Sequence, residues 1–113
     1  MEQKISPDTG MQSHPVSFIY FYSDDCAPCS ALRTKIITLL ANHFPGLPIT
    51  MIDGKANPQM AASHGVLSLP ALILLAEGRE YRRYGIYTSI SQIQSDIEKL
   101  LVLLAPEKTN GPA

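Results

Sequence analysis

The chain has two cysteines, Cys26 and Cys29, separated only by Ala27 and Pro28. Thiols three positions apart on the first turn of a helix share a face, with Cα atoms roughly 5–6 Å apart, a span a disulfide can bridge. A helix amino end supplies unpaired N–H groups and partial positive charge, which stabilise a thiolate and lower its pKa below the free value of about 8.5. That predicts a division of labour: Cys26 attacks a disulfide, and Cys29, one turn in and more buried, resolves the product by attacking Cys26. Three plainer readings compete. A zinc site wants about four ligands, yet there is no second cysteine pair, and His14, His43 and His64 are scattered. A purely structural bridge would close a loop too short to constrain much of the unfolded chain. Two incidental buried thiols would not need a strand-to-helix junction.

That junction is legible in the flanking residues. Val16–Tyr22 (VSFIYFY) is β-branched and aromatic without clean alternation, as in a central strand buried on both faces. Ser23, Asp24 and Asp25 are turn and N-cap candidates. A helix follows from about Ala27 to His43, with Leu32, Ile36, Leu39 and Leu40 at 3–4 spacing, Pro28 near its start, and Pro45, Gly46 and Pro48 ending it. Ile49–Asp53 is a short strand; Asn57-Pro58 opens a short helix that Gly65 ends. Ala71–Ala76 (ALILLA) is a second buried strand, and Glu77-Gly78 turns it into Arg79–Tyr84 as a hairpin. Ser89 and Gln92 fit a capping box for a last helix striped by Ile90, Ile93, Ile97, Leu100 or Leu101, and Leu104.

The order is therefore βαβαββα, predicting an α/β fold with a mixed four-stranded sheet and helices on both faces. The 113 residues suit one domain, expected over 16–105 between flexible segments 1–15 and 106–113. With 9 basic and 10 acidic residues the net charge is −1, which leaves no excess to neutralise phosphates and argues against nucleic acid. The longest apolar runs, near Leu69–Ala76 and Leu100–Ala105, fall short of the roughly 20 residues that cross a bilayer. The first fifteen residues show no apolar signal region, so cytoplasm is the expected compartment, where such a pair would be kept reduced.

CAPC directly after the first core strand, Leu69-Pro70 before an apolar strand, the Asn57-Pro58 helix, the Glu77-Gly78 turn and Gly85 together resemble the thioredoxin superfamily, over about Val16 to Leu104. The resemblance implies protein disulfide reduction, with Cys26 as nucleophile and Cys29 as resolving thiol. It also implies a cis peptide before Pro70 and a substrate face shaped by Pro28, Leu69, Pro70, Gly85 and Ile86. The dithiol carries two electrons itself, so no organic cofactor or metal is expected. The implied partners are disulfide-containing proteins and a thioredoxin reductase or equivalent donor; a monomer is expected.

The departures are specific. Thioredoxins usually have Trp before the first cysteine and Gly-Pro inside the motif; here Asp25 precedes Cys26, Ala27 replaces Gly, and there is no Trp. A carboxylate beside Cys26 should partly cancel the helix-end effect. The family's buried aspartate falls at Tyr20, a poor base with an ordinary pKa near 10, and more readily a core residue. The partner lysine on the next strand is replaced by Ile49 or a neighbour. These departures leave open a partner-specific redox protein with weak general activity, or a non-enzymatic interaction module.

Overall fold

In a computed structural model, which describes residues 14–105, seven elements follow the expected order. They are β1 (Val16–Tyr22), α1 (Ala27–His43), β2 (Ile49–Asp53), α2 (Pro58–Ser63), β3 (Ala71–Ala76), β4 (Arg79–Tyr84) and α3 (Ile90–Leu103). The expected end segments 1–15 and 106–113 lie outside the described residues, except for His14 and Pro15. There His14 Nδ1 accepts from Val16 N–H at 3.1 Å, and Pro15 carbonyl accepts from Glu77 N–H at 2.7 Å. Among the described residues no helix is long and apolar enough to cross a membrane.

The sheet order is β2-β1-β3-β4. β1 runs parallel to β2 and antiparallel to β3, which pairs antiparallel with β4 across a bulge at Leu74/Leu75. β1 sits inside the sheet, which explains why its apolar residues do not alternate with polar ones: each face meets a different layer. Val16, Phe18 and Tyr20 join Leu72 and Leu74 of β3 against Leu32, Ile36 and Leu39 of α1 and Ile93, Ile97 and Leu100 of α3. On the opposite face Phe21 and Ile73 pack with Ala61 of α2. The hairpin between β3 and β4 turns through two positive-φ residues, Glu77 (51°) and Gly78 (84°). That is the sense of twist a two-residue hairpin needs, and the reason glycine suits the second position.

Two polar clasps tie the layers. Tyr84 hydroxyl donates to Asp96 Oδ2 at 2.7 Å inside the α3 face, and Gln92 Nε2 donates to Asp96 Oδ1 at 3.0 Å. Gln92 is therefore engaged one turn further along and does not complete the predicted capping box. Ser89 caps α3 alone, by accepting from Gln92 N–H at 3.1 Å. Similarly, Asn57 occupies the predicted N-cap of α2 but makes no side-chain cap bond; its amide donates to Asp53 carbonyl at 2.9 Å. On the sheet edge, Arg83 donates to the His64 and Gly65 carbonyls and to both oxygens of Glu80, which fastens the end of α2 to β4.

Candidate active site

The strand register gathers the predicted site residues at one end of the sheet. Tyr22, the last residue of β1, pairs with Asp53, the last of β2, and Phe21 pairs with Ala71, the first of β3. Leu72 pairs with Tyr84, the last of β4. The segment carrying Cys26, the turn at Gly54, the approach to Pro70 and the exit at Gly85 therefore emerge together. In open α/β sheets ligands bind at this carboxyl end of the parallel strands.

Cys26 is the N-cap of α1, with extended backbone (φ −111°, ψ 102°), and its Sγ accepts from Cys29 N–H at 3.1 Å. The acidic residues before it were the expected caps, but the helix begins one residue too late for Asp25 to reach its free N–H groups. Sulfur takes the capping role, in the position where a helix end most favours a negative charge. α1 has no acidic residue in its first turn, and Pro28 lies in that turn, exposed. Cys26 is half-buried; Cys29 is 1% exposed. The two are joined by a disulfide, with Cα atoms 5.2 Å apart.

Asp25 does not face Cys26 as an isolated charge. Its Oδ2 accepts from Lys55 Nζ at 2.5 Å and its Oδ1 from Ser23 hydroxyl at 2.9 Å. The Lys55 hydrogen bond, then that of Ser23, hold the carboxyl below its usual range, and Asp25 in turn raises Lys55. Both residues are exposed, so the pair is a surface contact between the segment after β1 and the turn after β2. The expected opposition of Asp25 to a Cys26 thiolate is thus offset by a lysine thirty positions away.

Tyr20 is fully buried and donates its hydroxyl to Cys29 carbonyl at 2.5 Å, beneath the second cysteine. Burial pushes this phenol up to about 12, only partly countered by Arg33. At neutral pH it is a donor and no base. Across β1–β2 its register partner is Met51, with no lysine beside it. A neutral buried tyrosine stabilises the fold up to the unfolded pKa near 10, and that contribution is lost as pH rises toward about 12. Tyr20→Phe is expected to cost about 1 kcal/mol at pH 7, read by urea denaturation, and to flatten the alkaline loss between pH 10 and 12.

The Leu69–Pro70 peptide is cis. Pro70 is buried, and Leu69 lies over Gly54, where an added Cβ would come within 3.1 Å of the leucine side chain. The backbones of Leu67, Ser68 and Leu69 make no hydrogen bond among the described residues, which leaves their peptide groups available. Pro70 and Gly85 line one cleft with Leu67 and Ser68; Lys55 and Gly54 line a second on the far side of the same segment. Leu67, 97% exposed, stands between them, and Ile86 is 47% exposed. Gly85 N–H donates to Thr88 hydroxyl at 3.3 Å, which makes it part of a turn as well as of the cleft.

Two residues near the cysteines have no signature in the sequence. Lys55 reaches Asp25 only because β1 and β2 end side by side. Arg33 lies over the Tyr22 ring, with Cζ 4.6 Å from the centroid, and a basic residue at that spacing in a helix reads as surface.

Comparison with known proteins places this architecture. The thioredoxin family model matches residues 7–99. A thioredoxin of Chlamydia muridarum is 38% identical over 63 residues, which cover 56% of this chain and 61% of that protein. The chain spans about three fifths of the length of the chlamydial thioredoxins it matches. The thioredoxin-like protein YdfQ of Bacillus subtilis is 23% identical over 103 residues, 91% of each chain. Thioredoxin 1 of Thermosipho africanus superposes with a TM-score of 0.69 at 32% identity, over 77% of this chain and 96% of that one.

Proposed function

This chain belongs to the thioredoxin family, and we propose that it is a thiol–disulfide oxidoreductase working as a reductase of protein disulfides. The observation that carries this reading is the placement of the pair. Cys26 Sγ receives an N–H at the amino end of α1, and Cys29 is buried one turn below it. In the reduced state the Cys26 thiolate attacks one sulfur of a substrate disulfide. That bond breaks, a mixed disulfide forms, and the departing substrate sulfur takes a proton from water. Cys29 then attacks Cys26 Sγ, closes the intramolecular bridge and releases the second substrate thiol. Two electrons pass from the dithiol to the substrate, and no organic cofactor or metal enters.

The free peptide groups of Leu67–Leu69 suit an extended substrate chain, added as a short strand beside Pro70 and Gly85. Pro28, exposed beside the disulfide, and Leu69 would border it. A reductase of the thioredoxin reductase type, or an equivalent donor, regenerates the dithiol; the protein works as a monomer in the cytoplasm, as one domain over 16–105. Kept reduced in the cytoplasm, the pair is expected to have a potential nearer the reducing members of the fold, about −270 mV, than the oxidising ones near −120 mV.

Insulin reduction in dithiothreitol tests the reading. Precipitation of insulin chains well above the dithiothreitol background is expected. Background turbidity with a potential above about −180 mV would contradict it.

A further inference from the structure

The resolving step has a requirement that the surroundings of Cys29 do not meet in the usual way, since its thiol must lose a proton before it can attack. From β1, Tyr20 already donates to the Cys29 carbonyl and holds its own proton at neutral pH. From the segment before α1, Asp25 is engaged by Lys55 and Ser23 at the surface. α3, which packs on α1, carries Asp96, whose two oxygens are taken by Tyr84 and Gln92. His43 lies at the far end of α1, and His64 rests against Phe21 on the opposite face of the sheet. Asp53, at the end of β2, accepts from the Lys55 and Ala56 N–H groups, and Asp24 is exposed, so none of these groups hydrogen-bonds Cys29 as a base.

A cation is directed there instead. Arg33 is one helical turn beyond Cys29, at the i+4 spacing that puts two side chains on one face. Helical side chains lean toward the amino end, which sends its guanidinium back toward the cysteine turn. There it lies over Tyr22, which stacks on Tyr20 at 6.4 Å between centroids, and its charge is felt at the Tyr20 phenol that touches Cys29. Arg33 Nε is buried with no hydrogen-bond partner, and no carboxylate pairs with this side chain among the described residues. An unneutralised cation in a partly dry setting acts strongly on a neighbouring ionisable group.

We propose that Arg33 is a positioning residue for the resolving step, whose unpaired guanidinium favours the thiolate of Cys29 and so replaces a local base. The inference rests on the reductase reading above. The Cys29 proton passes to water; the thiolate attacks Cys26 Sγ in the mixed disulfide. The Cys26–substrate bond breaks, the Cys26–Cys29 bond forms, and the substrate sulfur leaves with its electron pair and is protonated by water.

The test needs no substrate. In Cys26→Ser protein with 13Cβ-labelled cysteine, the Cys29 thiol is titrated by NMR, alone and with Arg33→Gln or Arg33→Lys added. R33Q is expected to raise the midpoint by about one pH unit, about tenfold in thiolate fraction below it, while R33K stays near the parent. An unmoved R33Q midpoint in a protein with parental circular dichroism overturns the proposal. Should R33Q not fold, Arg33→Met, which keeps the aliphatic stem, is read by the same criterion. Wild-type insulin reduction is run alongside; its failure counts against the reductase reading, whereas the titration reports on Arg33 alone.

Discussion

Cys26→Ser is expected to lower protein disulfide reduction by at least about a thousandfold, the scale on which removing a nucleophile acts. The loss should appear with fold and stability nearly intact. Cys26 is a half-exposed N-cap, and serine is a good capping residue that can accept the same Cys29 N–H. A hydroxyl in that place receives the same helix-end polarisation, but its pKa lies far too high for an alkoxide to form at pH 7. Insulin reduction and urea denaturation on the same sample separate the two effects. Unchanged reduction by C26S would remove the dithiol from the account and leave the interaction-module reading standing.

The largest expected loss of stability lies at the centre of the sheet. Phe18 is fully buried in β1, in register with Ile49 of β2 and Leu74 of β3, and faces the α1–α3 layer. Phe18→Ala should cost about 3–5 kcal/mol, because neighbours held by two flanking strands cannot collapse into the space. For a domain whose whole stability is about 5–15 kcal/mol, that moves the urea midpoint down by a large fraction of its value. Ile37→Ala, on the outer face of α1 at 43% exposure, should stay under about 1 kcal/mol. Equal costs at the two positions would contradict the core described here.

The fold was largely legible because local and global signals agree. The unalternating VSFIYFY run is what a strand with a layer on each face requires, and the Pro and Gly residues stand where elements end. The location of the cysteine pair followed from the same pattern, since CAPC directly follows that strand.

What escaped the sequence depends on side chains meeting across elements. Asp24 and Asp25 are better intrinsic caps than cysteine, yet the helix start at Ala27 makes Cys26 the cap. Gln92 and Asn57 have partners, Asp96 and the Asp53 carbonyl, that outcompete the capping bonds their positions suggest. Lys55 and Arg33 are long, flexible cations whose partners, Asp25 and Tyr22, are set only by the parallel pairing of β1 with β2 and the packing of α1 on β1. Tyr20 looked like plain core by type and neighbourhood. Its hydroxyl contact with Cys29 carbonyl is visible only once α1 is laid across the strand.

The central claim is that Cys26 attacks and Cys29 resolves. Cys29→Ser protein, reduced and mixed with a disulfide-bonded protein such as insulin, tests it directly by non-reducing mass spectrometry. A covalent adduct through Cys26 should accumulate toward one per protein molecule, dissolve on adding dithiothreitol, and be absent from the Cys26→Ser protein. No adduct with C29S, or an equal one with C26S through Cys29, would contradict the assignment.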